Sequence, residues 1–317
     1  MTVLVTGGRG LVGSHVIEAL RAAGEDVRSF EGDVTDPGAW RKASGGITGI
    51  VHAAARVAQR LPLAEFERIN VGGTRLAVET ARTTGARLIH VSSVAVFGRT
   101  AAFAAGAGEV DEAFPFGPIP DHDFYARTKR LAEAVVQASG LSAAAIRPNV
   151  IYGERDRLFT ARVIRVLRTG IMPQIGAGTN HLSCVYVGNV AAAIVAALGH
   201  RIPGFRAYNI TADAPPALTE REFMGAFAEA LGVRVWRVPI PVFVARSGAN
   251  LWARWLRFRD PAGYAGLGGA AVGFIIGENP YTAARARQEL GWVAPFDTHT
   301  AIRRTVGPFE QRAGRVV

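Results

Sequence analysis

The chain has 317 residues, and its 49% of hydrophobic residues is typical of a folded protein and excludes a disordered one. Cys184 is the only cysteine, so no disulfide can form within the chain, which favours a reducing compartment. The net charge of +10 comes from arginines scattered along the whole sequence, which argues against a nucleic-acid-binding surface. The first residues run straight into a strand-like segment and no apolar run is long enough to span a bilayer. We therefore expect a cytoplasmic protein without a signal peptide.

The first half of the chain alternates between strand-like and helix-like segments. Such alternation implies right-handed crossovers between parallel strands, so it predicts an α/β fold with a doubly wound parallel sheet of the Rossmann type. The predicted strands cover residues 3–6, 26–30, 50–53, 87–91 and 143–147, and the predicted helices cover residues 11–23, 64–84 and 124–139.

After residue 153 the pattern is less regular. Strand-like segments at 181–187 and 206–210 alternate with helix-like segments at 189–198 and 219–231. Residues 235–280 are rich in Trp, Phe, Gly and Pro, which favours a smaller region that covers a substrate. We therefore divide the chain into a Rossmann domain, residues 1–153, and a mainly substrate-binding region, residues 154–317, with segments that return to the sheet.

A glycine-rich turn follows the first predicted strand and opens the first predicted helix, which begins at Leu11 and Val12. Gly7, Gly10 and Gly13 lie three residues apart in this turn. The first glycine permits a tight turn, the second lets the backbone approach a pyrophosphate, and the third allows close packing of helix on strand. The helix N-terminus adds free N–H groups for phosphate. The turn therefore predicts that the Rossmann domain binds a dinucleotide.

The residues around the second predicted strand bear on the choice between NAD and NADP. Glu31 ends this strand, where a carboxylate usually binds the adenosine ribose hydroxyls and favours NAD. Arg9 and Arg28 are placed to meet a 2′-phosphate instead, which favours NADP. We favour NADP of the two, because Arg9 lies inside the glycine turn.

Further motifs follow the glycine turn in a fixed order, and with them the chain resembles the extended short-chain dehydrogenase/reductases over nearly its whole length. The resemblance is closest to their 3β-hydroxysteroid dehydrogenase-like branch. One departure is a missing insertion between the second strand and Gly32-Asp33. The motifs are His52-Ala53-Ala54-Ala55, Asn70-Val71-Gly72-Gly73-Thr74, Ser92-Ser93-Val94-Ala95-Val96-Phe97-Gly98, Tyr125-Ala126-Arg127-Thr128-Lys129, Arg147-Pro148-Asn149-Val150-Ile151-Tyr152-Gly153, Asn279-Pro280-Tyr281 and Glu289-Leu290-Gly291-Trp292.

The resemblance implies a role for each matched residue. The catalytic Ser, Tyr and Lys of the family fall on Ser93, Tyr125 and Lys129. It also implies a homodimer formed through the helices at 64–84 and 124–139. The other cofactor contacts fall on Asp33, Val34, Ala53, Ala54, Ala55, Asn70 and Pro148, and the substrate contacts fall on Ser93, Val94, Asn149 and Val150.

The chemistry of the three catalytic residues is also consistent with their spacing. Tyr125 lies one helical turn before Lys129, so the phenol is expected beside an ammonium. That charge, together with the positive nicotinamide, would lower the pKa of the phenol and let it exchange a proton near neutrality. Ser93 follows a predicted strand, where its hydroxyl can hold a substrate oxygen.

The motifs leave more than one function open. The favoured one is an NAD(P)-dependent oxidoreductase that interconverts a secondary alcohol and a ketone on a small, apolar substrate. The alternative is a nucleotide-sugar epimerase or dehydratase that retains NAD, but such enzymes usually carry Asn where this chain has Val150. A non-catalytic sensor is disfavoured because Tyr125 and Lys129 are both present.

Two other segments have simpler interpretations. Asp121-His122-Asp123 is expected to cap the following helix rather than to bind a metal, and no metal site is predicted. Residues 238–258 combine Trp, Phe and Leu with arginines. This segment is interpreted as a helical cap on the enzyme, as part of an apolar substrate pocket or as a membrane-surface contact.

Overall fold

A six-stranded parallel sheet forms the centre of the protein, whose computed structural model describes residues 1–57, 61–98, 109–259 and 268–313. The strand order is β2-β1-β3-β4-β5-β9. The chain therefore leaves β1 for β2 on one side and returns to β3 on the other, which places a crevice at the carboxyl ends of β1 and β3. The strands are β1 Thr2–Thr6, β2 Asp26–Ser29, β3 Gly49–His52, β4 Arg87–Val91, β5 Ala143–Pro148 and β9 Phe205–Ile210.

Helices cover both faces of this sheet, as the predicted Rossmann architecture requires. Asp36 caps one of them by accepting hydrogen bonds from Gly38 N and Ala39 N, and Gly85 ends another in the left-handed conformation. The helices next to the sheet are α1 Leu11–Ala22, α2 Pro37–Ala43, α3 Leu63–Phe66, α4 Gly73–Thr84, α5 Phe124–Ala138 and α7 Val187–Gly199.

The central strands are buried on both faces, which explains their nearly continuous apolar sequences. On one face, Val5 and Val51 pack with Val16 of α1 and Ile194 of α7. On the other face, the apolar side chains of β1, β3 and β4 pack with α2, α4 and α5; they include Leu4, Ile50, Leu88, Trp40, Val78 and Val136. The sheet is therefore rigid where its strand ends carry the candidate site.

The second half of the chain builds a smaller apolar core beside the carboxyl ends of the strands. Tyr152, Val163, Phe223, Phe227 and Ile302 are buried together in it. Its strands form two parallel pairs, β6 Val150–Tyr152 with β8 Cys184–Tyr186 and β7 Ile171–Ile175 with β10 Trp236–Ile240. Its helices are α6 Phe159–Arg168, α8 Glu220–Ala230, α9 Val242–Arg259, α10 Gly268–Ile276, α11 Ala284–Leu290 and α12 Thr298–Ala313.

Several elements differ from the sequence prediction. The helix predicted over 64–84 is interrupted by a π-helical segment, Glu67–Gly72, because the chain there turns the buried Asn70 inward. The strand predicted over 181–187 is only three residues long. The helices Pro37–Ala43, Phe159–Arg168 and Thr298–Ala313 were not predicted.

In the described ranges 1–57, 61–98, 109–259 and 268–313, no helix has both the length and the apolar character that a membrane span requires.

Candidate active site

The glycine turn has the geometry that its spacing predicts. Gly7 has a φ of +69°, and a Cβ added there would come within 2.8 Å of the Ala54 backbone nitrogen. A Cβ on Gly13 would come within 2.2 Å of the Gly7 carbonyl oxygen. The Gly10 N–H donates to that same oxygen at 2.8 Å and closes the turn. The turn thus brings β1, β3 and the start of α1 together at the crevice.

Replacing Gly10 with valine is expected to abolish cofactor binding and to leave most of the fold intact. A Cβ at this position would meet only the Gly7 carbonyl oxygen, at a tight 3.1 Å, whereas a Cβ on Gly13 would come within 2.2 Å of the same oxygen. A side chain at Gly10 should therefore strain the turn much less than one at Gly13, while it blocks the approach of a pyrophosphate. Gly13→Val is the contrasting control, since its Cβ clash should destabilise the fold itself. Fluorescence titration with NADH and NADPH, together with thermal melting, measures both effects. Unchanged cofactor affinity in Gly10→Val would move the site elsewhere.

A cavity of about 730 Å³ opens in front of the glycine turn. It also touches the end of β2 and the loop after β3, so it lies at the crevice between β1 and β3. Leu11 and Val12 begin α1 and pack on the apolar cores instead of lining this cavity. The lining residues are Gly7, Gly8, Arg9, Gly10, Ser29, Phe30, Glu31, Gly32, Asp33, Val34, Ala53, Ala54, Ala55, Arg56, Arg68 and Ile69.

Arg28 is not brought to this cavity. Its guanidinium donates to the carbonyl oxygens of Ala43, at 2.7 Å, and of Gly45, at 2.9 Å, at the carboxyl end of α2. A basic side chain is favourable there because the last carbonyls of a helix carry partial negative charge. Arg28 therefore closes a helix end, and the prediction that it meets a 2′-phosphate is not supported by this geometry.

Charged side chains of both signs surround the mouth of the cavity. Asp33 accepts hydrogen bonds from the backbone N–H and the hydroxyl of Thr35, each at 2.9 Å, and lies 3.4 Å from Arg68 Nη1. These hydrogen bonds hold the pKa of the Asp33 carboxyl below its ordinary value. Arg56 and Arg68 were not singled out in the sequence, since neither lies in a motif, yet both add positive charge beside Arg9 and Glu31.

The three residues matched to the catalytic set lie where β4 ends. Ser93 follows β4 and caps a short 3₁₀ helix, and its hydroxyl is near enough to the Tyr125 hydroxyl to lower the pKa of the phenol. Lys129 is buried one turn further along α5, and its Nζ donates to the Val91 carbonyl oxygen at 2.7 Å. The ammonium lies 6.0 Å from the centre of the Tyr125 ring. The arrangement can hold and protonate an oxygen beside the end of the sheet.

The pKa shifts at this site follow from burial. Burial raises the pKa of Tyr125, and the nearby Ser93 hydroxyl only partly opposes this. The protein alone therefore does not lower the pKa of Tyr125, although a lowering was expected from the neighbouring ammonium. Lys129 is turned toward the Val91 carbonyl oxygen instead. Burial lowers the pKa of Lys129 to about 8, against the carboxylate of Glu133, which raises it. The protein thus keeps Tyr125 protonated at neutral pH and leaves Lys129 close to its titration point.

Two buried histidines, His52 and His90, lie in β3 and β4 near the charge of Lys129. The rings of His52 and His90 stack with their centres 5.8 Å apart, at the ends of β3 and β4. Burial, and then the charge of Lys129, lower the pKa of His52 to about 3 and that of His90 well below its ordinary value. His52 Nδ1 lies 2.9 Å from Thr6 Oγ1, which accepts from Ala54 N at 3.1 Å. Both rings are therefore neutral, and the contact of His52 with Thr6 links the ends of β3 and β1.

Asn70, in the π-helical segment, links the cofactor cavity to the catalytic helix. Its side-chain oxygen accepts from the Arg56 N–H at 2.7 Å, and its amide donates to Thr128 Oγ1 at 3.0 Å. Arg56 lines the cavity, and Thr128 precedes Lys129. The resemblance implied that Asn70 contacts the cofactor. In the structure, its hydrogen bonds fix the loop after β3 relative to α5.

A buried ion pair behind Lys129 was missed in the sequence. Glu133 accepts hydrogen bonds from Arg147 Nε at 3.1 Å and from the Ser92 hydroxyl at 2.5 Å, and all three side chains are buried. The Arg147 guanidinium also lies 4.9 Å from the centre of the Phe97 ring. A signal was present, since Glu133 lies one turn after Lys129 and Arg147 interrupts an otherwise apolar strand. The pair joins α5, β4 and β5 around Ser93 and Lys129.

The residues predicted to contact the substrate lie on the same side of the sheet. Val94 is buried directly after Ser93, and Val150 is half-buried in β6. The amide of Asn149 donates to the Thr211 carbonyl oxygen at 2.9 Å and to Ser183 Oγ at 3.2 Å, which ties it into the protein. Pro148 is buried at the end of β5. Val94 packs with Val96 and Phe97, and the predicted substrate contacts other than Ser93 and Asn149 are thus uncharged and apolar.

The residue before the catalytic helix has the role that its sequence predicts. Asp123 accepts a hydrogen bond from Ala126 N at 3.1 Å and caps α5, the helix that carries Tyr125 and Lys129.

The cavity and the strand ends fit a nicotinamide dinucleotide. Added Cβ atoms would close the approach at Gly7 and narrow it at Gly10, so the backbone is left open where a pyrophosphate binds. The α1 N-terminus at Gly10 has no side-chain cap, which leaves its N–H groups to a phosphate. Ser93 follows β4, the strand next to β3, and Tyr125 lies on α5 beside Ser93, where the reacting end of such a cofactor would reach.

Comparison with known proteins assigns the family. Residues 3–211 match the NAD dependent epimerase/dehydratase family, and the chain belongs to it. It is 29% identical to a 4-hydroxy-2-methyl-3-oxo-4-farnesyl-3,4-dihydroquinoline-1-oxide ketoreductase of Stigmatella aurantiaca, with 99% of this chain and 98% of that protein covered. It is also 30% identical to a 3 beta-hydroxysteroid dehydrogenase/Delta 5-->4-isomerase of Mycobacterium tuberculosis, with 95% and 88% covered.

A solved structure confirms the fold. MoeE5 in complex with UDP-glucuronic acid and NAD superimposes with a TM-score of 0.73 at 22% identity, with 99% of this chain and 100% of that chain covered. The protein is thus an NAD(P)-dependent enzyme of the extended short-chain dehydrogenase/reductase type, as the motifs predicted.

Proposed function

We propose that the protein interconverts a secondary alcohol and a ketone on a small, apolar substrate. The observation that carries this proposal is the cluster of Ser93, Tyr125 and Lys129 at the end of β4. This strand pairs with β3, and the loop after β3 lines the cavity in front of the glycine turn. The Ser93 and Tyr125 hydroxyls converge, so both can hydrogen-bond a single carbonyl oxygen. A carbonyl polarised in this way is ready to accept hydride at carbon.

Each residue has a defined part in reduction of the ketone. When bound, a reduced nicotinamide supplies the hydride that the carbonyl carbon receives. As the carbonyl π bond breaks, the Tyr125 hydroxyl transfers its proton to the developing alkoxide oxygen. Because burial raises the pKa of Tyr125, the phenol is protonated at neutral pH and carries the proton that the reduction requires. Ser93 holds the oxygen in place, and the Lys129 ammonium stabilises the negative charge left on the phenol.

The neighbourhood of Ser93 supports an apolar substrate. Val94 and Val150 are uncharged and lie at the end of the sheet, where polar groups would be needed for a sugar. The two relatives named above act, by their names, on a farnesylated quinoline oxide and on a 3β-hydroxysteroid, which are both largely apolar. We propose the same class of substrate for this chain.

Turnover of apolar ketones tests the proposal. We expect a panel of steroid and alkyl ketones to be reduced with consumption of NADPH or NADH. We expect UDP- and dTDP-sugars neither to react nor to raise the melting temperature of the protein, since Val150 replaces the Asn of sugar-nucleotide enzymes. The measurement is the loss of nicotinamide absorbance, with Tyr125→Phe as the inactive control. Saturable micromolar binding of a UDP-sugar would instead assign the protein to the epimerases or dehydratases that retain NAD.

NADP is proposed as the preferred cofactor. Arg9, Arg56 and Arg68 line the cavity near the end of β2, and Asp33 is already engaged by Arg68. Charge-assisted hydrogen bonds to a 2′-phosphate contribute about 1.5–3 kcal/mol, so NADPH should bind at least about tenfold more tightly than NADH. Arg9→Ala should remove the preference, whereas Arg28→Ala should keep it because Arg28 caps α2. A preference for NADH that Glu31→Ala removes would identify Glu31 as the ribose ligand and overturn the proposal.

We also propose that the protein is a cytoplasmic homodimer. The proposed interface is formed by α4 and α5, which pack against each other. Leu131 of α5 is exposed, and Leu76 and Val135 are half-buried on the same pair of helices. A two-fold axis would pair these surfaces with their copies.

A further inference from the structure

Among the side chains of helix α9, Val242–Arg259, that the structure describes, the half-buried ones belong to valine and alanine. Val242, Ala245 and Ala249 are half-buried and recur at the spacing of one helical face. This side contributes little apolar area to the core, and α9 packs mainly on the neighbouring helix Gly268–Ile276. The larger described side chains of α9, among them Leu251, Trp252 and Trp255, are exposed instead.

A second face of α9 is apolar and exposed. Val244, Gly248, Leu251, Trp252 and Trp255 recur at i, i+4, i+7, i+8 and i+11, so they form one stripe along the helix. Leu251 is 70% exposed and Trp252 is 59% exposed. The Trp252 and Trp255 rings stack with their centres 4.9 Å apart. A helix that only capped the enzyme would bury these side chains rather than Ala245 and Ala249.

The strand that leads into α9 extends the exposed apolar surface. Trp236 of β10 is 76% exposed, and Val238 on the same side of the strand is also exposed. Trp236 pairs in register with Ile171 of β7, which is exposed as well. Phe243, at the start of α9, is 73% exposed. We name Ile171, Trp236, Val238 and the exposed residues of 243–255 the β10–α9 surface.

The charges of this segment have one sign. Residues 230–259 contain six arginines and no Asp, Glu or Lys. Of these, Arg246 and Arg254 are exposed on α9 beside the apolar stripe. Tryptophan and phenylalanine side chains flanked by basic residues are the composition of a helix that lies in the headgroup region of a bilayer. The sign of the charge matches anionic lipid headgroups.

We infer that the β10–α9 surface binds the surface of an anionic lipid bilayer. A second copy of the chain fits this surface less well, because a two-fold contact would place the arginines of one copy against those of the other. The proposed dimer helices, α4 and α5, are separate elements, so both surfaces can be occupied together. Binding at a bilayer would place the enzyme where apolar, membrane-dissolved substrates are concentrated, although the inference does not depend on any activity.

Vesicle co-sedimentation tests this inference directly. The full-length protein is mixed with vesicles of phosphatidylcholine alone, or of phosphatidylcholine with phosphatidylglycerol, and the bound fraction is measured. We expect binding to the anionic vesicles that high salt weakens, with little binding to the neutral ones. The double variant Leu251→Glu/Trp252→Glu should reduce the partition coefficient at least about tenfold, because it places two charges in the inserted face. Arg246→Glu/Arg254→Glu should reduce it similarly, at about 1 kcal/mol for each charge near the surface.

Val293→Glu is the matched control, since Val293 is 73% exposed outside this surface and its substitution should leave vesicle binding unchanged. Melting temperature and cofactor affinity should be unchanged in all variants, which shows that they fold. Absence of vesicle binding by the parent protein, or equal binding by parent and variants, would overturn the inference. A dimer in light scattering that Leu251→Glu/Trp252→Glu dissociates, without vesicle binding, would assign the surface to a second copy instead.

Discussion

Tyr125→Phe is expected to lower the rate of ketone reduction at least about hundredfold, the usual contribution of a positioned general acid. The substitution removes only the hydroxyl oxygen, which lies near the Ser93 hydroxyl and would donate the proton to the substrate. Helix α5 keeps its Asp123 cap and Lys129 keeps its bond to the Val91 carbonyl, so the fold should not change. The measurement is single-turnover reduction of a ketone substrate, followed by nicotinamide absorbance.

Two further variants separate the roles within this cluster. Ser93→Ala should lose somewhat less rate than Tyr125→Phe, because it removes a positioning hydrogen bond and leaves the acid in place. Lys129→Ala should harm both the rate and the cofactor affinity, since we expect the ammonium to serve the cofactor ribose as well as the phenol. Near-parental turnover in Tyr125→Phe, with unchanged cofactor affinity, would contradict the proposed mechanism.

The Rossmann half of the fold could be predicted from the sequence because its signals are local. A parallel strand buried on both faces is a short apolar run, and Arg87–Val91 was predicted to the residue for this reason. The signal of the glycine turn is equally local. At each of its three glycines, an added Cβ would approach backbone atoms of the turn or of the adjoining loop. The short, mostly apolar run at residues 143–147, followed by a proline, also predicted β5, whose last residue is Pro148.

The second half was harder because its elements depend on distant partners. Strand β7 contains Pro173 and pairs with β10, more than sixty residues away in the sequence, so neither segment shows a complete pattern by itself. Helix α2 was missed because it is one of the shortest, and its signal is only Asp36 followed by Pro37. In the π-helical segment, Asn70 hydrogen-bonds Thr128 and the Arg56 backbone. A helical pattern in the sequence does not show such contacts.

The site showed the same division between local and distant signals. Ser93, Tyr125 and Lys129 were identified by motif, and the structure brings them together. The position of Arg28 could not be predicted, because a strand residue near the cofactor edge can turn either to the ligand or to a helix end. The direction of the pKa shift of Tyr125 depends on burial, which three-dimensional packing decides and spacing does not.

Glu133→Ala is expected to destabilise the protein by about 3–5 kcal/mol, the cost of leaving one member of a buried ion pair without its partner. Arg147 would keep its charge in a buried site between Phe97 and Phe116, and the Ser92 hydroxyl would lose its acceptor. Chemical denaturation of the parent and the variant measures this difference in the free energy of unfolding. A change below about 1 kcal/mol would contradict the prediction.

Controls distinguish the buried pair from ordinary surface charge. Glu18→Ala removes the exposed ion pair with Arg155 and should cost less than about 1 kcal/mol, because solvent screens that pair. Glu133→Leu combined with Arg147→Met should be less destabilising than Glu133→Ala alone, since neither charge is then left buried and unpaired.

The stability of Glu133→Gln should lie between that of the parent and that of Glu133→Ala, because its amide oxygen still accepts from Ser92 and Arg147. The same substitution should also lower the pKa of Lys129 further, since the Glu133 carboxylate is what raises it against burial.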